Sequence, residues 1–362
     1  MIAEDKWVAF LLPREIQNLS DEELIDGIKS LKSQWGKRCQ VLAHHYQRQS
    51  IVDMADFVGD SLELAHKTNA LPETEYIVFC GVQFMAEMAA ALCRADQKVI
   101  TPAPNALCPM ANMADMAQVS RVWEAIGQLT DIKKAIPITY VNSLSEIKAF
   151  CGENGGLCCT SSNAKNVVKW ALENGERILF LPDENLGVNT CQALGIPKEN
   201  IVIWEPTLSD GGCSQDELKK ATAILWRGYC HVHTHFTLQQ VKLARENYPG
   251  CLIVVHPECN RDVVEAADES GSTSFIIKYA AEAPSGSTII IGTELNLVKR
   301  LAAMHKDKTI APLSASACPD MERVTLRSLY WSLLNLGKVN LVSLDEPIAR
   351  SARLALERML KI

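Results

Sequence analysis

The feature that most limits the possible folds is a pattern that the sequence repeats three times. In each copy a short apolar run leads into polar residues that begin at His44, Tyr140 and His256. A further helix is predicted to open 17 to 21 residues later, at Ser61, Ser161 and Thr273. Each copy closes on a loop with a cysteine, namely Cys108, Cys230 and Cys318. A repeated pattern of this length indicates a repeated structural unit.

Apolar runs alternate with helical stretches, which predicts parallel sheets built from β-α-β units and therefore an α/β fold. We expect one similar unit in each of the ranges 1–125, 126–240 and 241–362. The first also holds an amphipathic helix at residues 20–35, and the last ends in two helices broken near Pro347. The middle unit carries an insertion near residues 206–217. The predicted strands cover residues 39–43, 76–79, 136–141, 178–181, 201–204, 251–255 and 288–291.

The bulk composition is that of a globular protein with more than one core. The 362 residues are 48% apolar and 22% charged, which suits two or three domains. The net charge of −7 argues against a nucleic-acid partner, and the sequence has no run of 18 apolar residues that would predict a membrane span. The apolar run at residues 8–12 is short and follows acidic residues, so a signal peptide is not expected. We therefore expect a cytoplasmic location.

The 13 cysteines are odd in number, irregularly spaced and without any CxxC motif, which predicts free thiols in a reducing compartment. Three thiolates from Cys108, Cys230 and Cys318 could hold a 4Fe–4S cluster that leaves one iron without a protein ligand, as an open Lewis acid. Zinc is the competing metal, and apolar packing is the alternative for each cysteine alone. Packing is the interpretation for the others in strand or helix patterns, at Cys80, Cys93, Cys151, Cys191 and Cys251 and in the pair Cys158-Cys159.

Polar residues two positions apart follow the first strand of each copy. The pairs are His44 and Tyr46, Tyr140 and Asn142, and His256 and Glu258. Open parallel sheets bind ligands at the carboxyl ends of their strands, and these side chains suit substrate hydrogen bonding and proton transfer. A structural role for the histidines is the alternative.

Two further groups of residues have both a functional and a structural interpretation. Ser61, Ser161 and Thr273 stand at helix starts, where they can be N-caps or parts of anion sites for phosphate or carboxylate. The run from His231 to His235 would place three imidazoles on one face of a strand. Because it directly follows Cys230, we expect it to shape the cysteine loop rather than to form a zinc site.

Eleven motifs, in order along nearly the whole chain, make the sequence resemble the quinolinate synthase family, the A protein of de novo NAD biosynthesis. They are His44-x-Tyr46-Gln47, Gly59-Asp60-Ser61, GVQFMAE at 81–87, Cys108-Pro109-Met110-Ala111-Asn112, Tyr140-Val141-Asn142, Thr160-Ser161-Ser162-Asn163, Gly228-Tyr229-Cys230-x-Val232-His233, His256-Pro257-Glu258-Cys259, Gly271-Ser272-Thr273, Ile291-Gly292-Thr293-Glu294 and Cys318-Pro319-x-Met321.

The resemblance implies three three-layer α/β/α domains with pseudo-threefold symmetry around a central active site. It implies one 4Fe–4S cluster on the three loop cysteines, and condensation of iminoaspartate with dihydroxyacetone phosphate to quinolinate, phosphate and water. An aspartate oxidase or dehydrogenase would supply the iminoaspartate. The substrate-binding residues implied are His44, Ser61, Tyr140, Asn142, Ser161, His256, Glu258 and Thr273. The catalytic residues predicted are Tyr46, His256 and Glu258.

Two departures from the family pattern are visible. Some members carry a CxxCxxC run that ends at the third cluster cysteine, but here Pro312 and Ala315 occupy the earlier positions. Because Ser161 and Ser162 are adjacent, the family pattern does not decide which of the two contacts the substrate. The alternatives to the proposed enzyme are another iron–sulfur hydro-lyase that acts on a carboxylate, a non-enzymatic iron–sulfur sensor and a zinc-bound structural protein.

Overall fold

The computed structural model describes residues 12–362, so the prediction for residues 8–12 lies, apart from Leu12, outside the described residues. Three parallel sheets flanked by helices confirm the predicted α/β fold. Across residues 12–362, no helix is both long and apolar enough for a membrane span. By their contacts, the residues group into a smaller and a larger compact unit. The smaller is the described part of Met1–Gly59 with Glu63–Leu107 and Pro319–Ser343, and the larger is Asp60–Leu62, Cys108–Cys318 and Leu344–Ile362.

The first sheet lies in the smaller unit and has the strand order β2-β1-β3-β4. The helix before it begins at Ser20, whose hydroxyl accepts the N–H of Glu23 while the Glu23 carboxylate accepts the N–H of Ser20. This capping box confirms the helix predicted at 20–35. The strands are β1 Cys39–His44, β2 Phe57–Gly59, β3 Tyr76–Cys80 and β4 Lys98–Ile100. The helices from residue 12 to residue 100 are Arg14–Gln17, Asp21–Trp35, Gln49–Val52, Ser61–Asn69 and Gln83–Leu92, with a 3-10 helix at Gly36–Arg38.

The second sheet lies in the larger unit and has the order β6-β5-β7-β9-β8. Four strands follow the order of the first sheet, and β8 adds a fifth at the edge, next to the insertion predicted near residues 206–217. The strands are β5 Ala135–Tyr140, β6 Leu157–Cys159, β7 Arg177–Leu181, β8 Ile201–Trp204 and β9 Ala223–Trp226. The helices are Met116–Leu129, Ser145–Glu153, Ala164–Asn174, Glu184–Ala193 and Gln215–Lys220, with 3-10 helices at Met110–Met113, Ile132–Lys134 and Lys198–Asn200.

The third sheet also lies in the larger unit, in the order β11-β10-β12-β13. Its central strands are apolar and largely buried, as is typical of parallel sheets covered on both faces. The strands are β10 Leu252–Val255, β11 Glu269–Ser270, β12 Thr288–Gly292 and β13 Thr309–Pro312. The helices of this unit after residue 230 are His231–Thr234, Leu238–Asn247, Arg261–Ala266, Thr273–Glu282, Leu295–Met304 and Glu346–Met359. The helix Leu326–Leu334 and the 3-10 helix Met321–Arg323 belong to the smaller unit.

All seven predicted strands are present, with each end within one residue of its expected place. Six further strands of two to four residues, namely β2, β4, β6, β9, β11 and β13, are too short to show a periodic pattern. The two helices predicted with a break near Pro347 are present as Leu326–Leu334 and Glu346–Met359, and the break at residues 335–345 ends just before Pro347. Pro347 lies in the first turn of the second helix, where its missing N–H costs no hydrogen bond.

The same local order recurs after each loop cysteine. A short helical segment follows the cysteine, and the residue seven positions beyond the cysteine caps the next helix with its side chain. The capping residues are Asp115, Thr237 and Thr325. With the shared strand order, this recurrence supports three copies of one unit. The domain boundaries and the pseudo-threefold symmetry stay predictions.

Candidate active site

Parallel pairing brings the predicted polar residues of the larger unit to the ends of their strands. β5 ends at Tyr140, which pairs with Cys159 at the end of β6, just before Ser161. In the third sheet β10 pairs with β12, and the N–H of His256 donates to Gly292 O at 3.0 Å. The turns that carry the candidate residues therefore start at neighbouring positions within each sheet.

A buried hydrogen-bond network surrounds Glu258. Its Oε2 lies 2.7 Å from His233 Nδ1, and both side chains are only 2% exposed. The other ring nitrogen, His233 Nε2, lies 3.1 Å from Thr293 Oγ1. The Tyr140 hydroxyl also donates to the Glu258 carboxylate. These contacts hold the carboxylate in one place.

Opposing effects act on the pKa of Glu258. Burial alone would raise it, but His233 and His256, together with the hydrogen bonds from His233 and Tyr140, lower the pKa below its ordinary value. The carboxylate is therefore ionised at neutral pH and can accept a proton.

His256 stacks on His233, with ring centroids 4.2 Å apart and planes 17° from parallel. Its Nδ1 accepts the backbone N–H of Glu258 at 3.3 Å, so the neutral ring carries its proton on Nε2. That Nε2 lies 3.2 Å from Ser161 Oγ. Burial, with a smaller contribution from His233 and against the pull of Glu258, lowers the pKa of His256 to about 3. His256 is thus a neutral hydrogen-bond donor at physiological pH.

The smaller unit contains His44 and Tyr46 in the same local motif. The backbone N–H of Tyr46 donates to His44 Nδ1 at 3.2 Å, as that of Glu258 does to His256. The two rings meet edge to face, with centroids 4.7 Å apart. They lie together because of a turn and not because of strand alternation, since β1 ends at His44. The roles of both residues stay predictions.

Asn142 has a buried side-chain oxygen without a hydrogen-bond partner among residues 12–362. Its Oδ1 is therefore an acceptor that a donor group on a ligand can satisfy. The predicted substrate contact of Asn142 is consistent with this but stays a prediction.

The helix-start hydroxyls are not all N-caps. The helix Thr273–Glu282 is capped by Ser272, whose hydroxyl accepts the N–H of Phe275. At the start of the helix Ser61–Asn69, the Asp60 carboxylate accepts the N–H of Leu62 at 3.0 Å.

Of the two neighbouring serines, Ser161 lies against His256 and Ser162 lies against Asp60, at 3.2 and 2.6 Å. The geometry favours Ser161 as the substrate contact, which stays a prediction.

The three loop cysteines differ from most of the others in exposure. Nine of the 13 cysteines are buried, which agrees with the packing interpretation of Cys80, Cys93, Cys151, Cys158, Cys159, Cys191 and Cys251. The four partly exposed ones are Cys108, Cys213, Cys230 and Cys318. Three of these four are the predicted cluster ligands.

The surroundings of these thiols suit a cationic centre. Burial first, and then the charges of Cys318 and Glu258, raise the pKa of Cys108 to about 12. Burial and the charges of Glu258 and Cys108 raise the pKa of Cys230 well above its ordinary value. Cys108 therefore lies within electrostatic range of both Cys318 and Cys230, and the negative charge of Glu258 acts on Cys108 and Cys230.

Backbone N–H groups of the following helical turn lower the pKa of these thiols, those of Ala111 and Met110 for Cys108 and that of His233 for Cys230. Backbone N–H groups close to the sulfurs are among the features that tune iron–sulfur clusters. The residues thus fit a cluster held by three thiolates.

A second group of possible metal ligands shares Cys230 with the three cysteines. A sulfur of Cys230, a ring nitrogen of His233 and a carboxylate oxygen of Glu258 lie within 4.8 Å of one another. One thiolate, one imidazole and one carboxylate are also zinc ligands, so the donor set alone leaves the zinc alternative open.

The expected strand with three imidazoles on one face is wrong. Cys230 is the N-cap residue of a helical turn, His231–Thr234, and residues two apart on a helix do not share a face. His231 and His235 are exposed, and only His233 is buried.

Sequence reasoning missed four buried residues here. His233 belongs to a quoted motif, but its partners lie 25 and 60 residues away. Asp183 and Glu294 occupy equivalent positions two residues past the ends of β7 and β12, which the repeat could have revealed. Glu294 accepts the N–H of Cys318 at 3.4 Å and so supports that loop. The fourth, Asp60, is a member of a quoted motif whose serine alone was singled out.

Asp183 caps the helix Glu184–Ala193 by accepting the N–H of Leu186 at 2.6 Å. Its other oxygen, Oδ2, has no hydrogen-bond partner among residues 12–362. Burial first, then the charge of Glu258, raises the pKa of Asp183 well above its ordinary value. The protonated form of the Asp183 carboxyl is therefore favoured, close to Glu258.

Comparison with known proteins agrees with these features. The family model described as quinolinate synthetase A protein matches residues 26–361. A quinolinate synthase of Corynebacterium glutamicum is 46% identical over 357 residues, which cover 97% of this chain and 91% of that protein. One of Streptomyces coelicolor is 45% identical over 358 residues, covering 97% and 91%. One of Bacillus anthracis is 43% identical over 356 residues, covering 97% and 96%. As predicted from its motifs, the chain belongs to the quinolinate synthase family.

Proposed function

We propose that this protein is a quinolinate synthase of NAD biosynthesis. The reaction joins iminoaspartate and dihydroxyacetone phosphate and releases phosphate and two molecules of water, so it is balanced without an oxidant or reductant. The observation that carries the proposal is the match to the family over nearly the whole chain, together with a buried Tyr140–Glu258–His233 network beside the loop cysteines.

The polar residues suit the bonds that must change. Condensation, loss of water and ring closure all need protons to be removed from carbon or nitrogen and delivered to leaving oxygens. The ionised Glu258 can take such a proton, and the Tyr140 hydroxyl that donates to it can pass one on. Neutral His256 can donate from Nε2 and keep Ser161 in position. Tyr46 is proposed as a third proton-transfer residue.

The substrates are anions, and the site offers hydroxyl and N–H groups that can donate hydrogen bonds to them. Iminoaspartate carries two carboxylates and dihydroxyacetone phosphate carries a phosphate. Hydroxyls at helix starts, at Ser61, Ser161 and Thr273, are proposed to bind these groups with nearby N–H donors. His44 and Asn142 are proposed as further contacts.

Cys108, Cys230 and Cys318 are proposed to hold one 4Fe–4S cluster. When bound, it would supply an open iron as a Lewis acid for carboxylate and hydroxyl oxygens. Small-molecule substrates, a cytoplasmic location and an aspartate oxidase or dehydrogenase as the supplier of iminoaspartate complete the proposal.

The test is an assay for quinolinate with anaerobically purified protein and both substrates, with the omission of either substrate as a control. The proposal predicts quinolinate only when both are present, and a lower turnover for Tyr140→Phe, which removes the donor to Glu258. A different dehydration product, with no quinolinate, would instead identify another iron–sulfur hydro-lyase. A protein that holds a cluster but turns over neither substrate would support a sensor.

A further inference from the structure

Asp60 is a buried carboxylate that holds two serines from distant parts of the chain. Its Oδ2 accepts the Ser162 hydroxyl at 2.6 Å and the Ser274 hydroxyl at 2.7 Å. Its Oδ1 accepts the backbone N–H of Leu62 at 3.0 Å. Only 5% of the residue is exposed. Short bonds to an ionised acceptor are among the stronger hydrogen bonds in proteins, so Asp60 links these segments of the chain firmly.

The three side chains of this hydrogen-bonded group come from the three copies of the repeat. Asp60 belongs to the first copy, Ser162 to the second and Ser274 to the third, 102 and 214 residues away from Asp60. All three belong to the larger compact unit. Each is the direct neighbour of a hydroxyl residue that is proposed to bind a substrate anion, namely Ser61, Ser161 or Thr273.

We propose that Asp60 is a positioning residue that fixes the relative places of these three anion-binding hydroxyls. Because Ser162 and Ser274 bind the same carboxylate oxygen, the turns that carry Ser161 and Thr273 are held together at a fixed distance. An anion that contacts several hydroxyls is bound tightly only if they are placed before it arrives. This inference rests on the proposed function, since it takes those hydroxyls as the substrate contacts.

Because Asp60 is negatively charged, its substitution separates a positioning role from a purely electrostatic effect on anion binding. A carboxylate near an anion site repels the anion, so removal of the charge alone would strengthen binding. Removal of a positioning residue would weaken binding. The two roles therefore predict opposite signs for Asp60→Ala.

The experiment measures KM and kcat for dihydroxyacetone phosphate with the anaerobic, cluster-containing protein and its variants. We expect Asp60→Ala to raise KM about tenfold, the effect of losing roughly one charge-assisted hydrogen bond, while kcat changes less. Ser162→Ala combined with Ser274→Ala should raise KM similarly without changing any charge. In the triple variant the effects should not add, because the three side chains act as one unit.

Asp216→Ala, at an exposed aspartate of the same unit, is the matched control and should leave KM unchanged. Asp60→Asn keeps the size of the side chain and one acceptor oxygen, and it should give an intermediate KM. It also replaces Asp60→Ala if that variant does not fold, as judged by its thermal melting. An unchanged or lower KM in Asp60→Ala or Asp60→Asn, or additive effects in the triple variant, would overturn the proposal.

A second measurement separates this inference from the proposed function. Calorimetric titration with inorganic phosphate needs no turnover, and wild type should bind more tightly than Asp60→Ala. Equal binding by both proteins, or no phosphate binding by wild type, would overturn the positioning role even if quinolinate forms. Absence of quinolinate with weakened phosphate binding in Asp60→Ala would overturn the reaction and leave the positioning role standing.

Discussion

Replacing Glu258 by Gln tests whether this carboxylate moves a proton in the reaction. The substitution keeps the size and shape of the side chain but removes its charge and turns one acceptor into a donor. In the structure the carboxylate accepts from the Tyr140 hydroxyl and lies 2.7 Å from His233 Nδ1. A glutamine can keep the first contact through its amide oxygen, so the fold should survive.

The magnitude follows from the same contacts. Two hydrogen bonds to a charged group, worth about 1.5–3 kcal/mol each, become neutral bonds worth about 0.5–1.5 kcal/mol. The free energy of unfolding should therefore fall by about 1–3 kcal/mol. Loss of a general base lowers turnover by about 10²- to 10⁴-fold. The loss of rate should thus be far larger than any loss of folded protein can explain.

The assay follows quinolinate formation under anaerobic conditions, with the visible spectrum and iron content recorded on the same samples. Glu282→Gln, at an exposed glutamate on the helix Thr273–Glu282, is the matched control and should behave as wild type. If Glu258→Gln kept full turnover, Glu258 would have no part in proton transfer. If it lost its iron together with its activity, the carboxylate would serve the metal centre instead.

Three other predictions concern stability. His233→Ala should lower the free energy of unfolding in urea by about 3–5 kcal/mol, because the buried Glu258 carboxylate loses its partner at 2.7 Å, while His231→Ala at an exposed neighbour should change it little; equal effects would refute this. The pKa of His256 is about 3 in the folded protein against an ordinary value of 6.5, so the stability that the neutral ring contributes is complete above pH 6.5 and is lost as the pH falls toward 3. Wild type should therefore lose about 2 kcal/mol of stability between pH 7 and pH 5 that a His256→Gln variant does not lose. Gly152→Ala should destabilise the protein by about 1–3 kcal/mol, since the added Cβ would meet a backbone oxygen of the C-terminal helix at 1.9 Å, whereas Gly127→Ala meets only ordinary contacts at 3.8 Å and should be neutral or stabilising.

The repeated unit could be predicted from the sequence because its signals are local. Apolar strands, polar strand ends and loop cysteines recur in one order, and each of the seven predicted strands forms within one residue of its expected bounds. Strands such as β11, with two residues, exist only through their pairing with a neighbour. Such pairing is a property of the fold and leaves no periodic signal in the sequence.

Contacts between distant residues explain the rest of what the sequence did not reveal. His233 appeared as one of three alternating imidazoles, but Cys230 begins a helical turn there, so alternation does not apply. Its pairing with Glu258 joins two copies of the repeat, as the bonds from Ser162 and Ser274 to Asp60 join three. Only the folded chain brings these residues together.

The iron and acid-labile sulfide content per chain of anaerobically reconstituted protein tests whether three thiolates hold one iron–sulfur cluster. We expect about four of each in wild type and in Cys213→Ala, the other partly exposed cysteine, and loss of both in Cys108→Ala, Cys230→Ala and Cys318→Ala. Full iron and sulfide content in any of the last three variants, or one zinc per chain without sulfide in wild type, would contradict it.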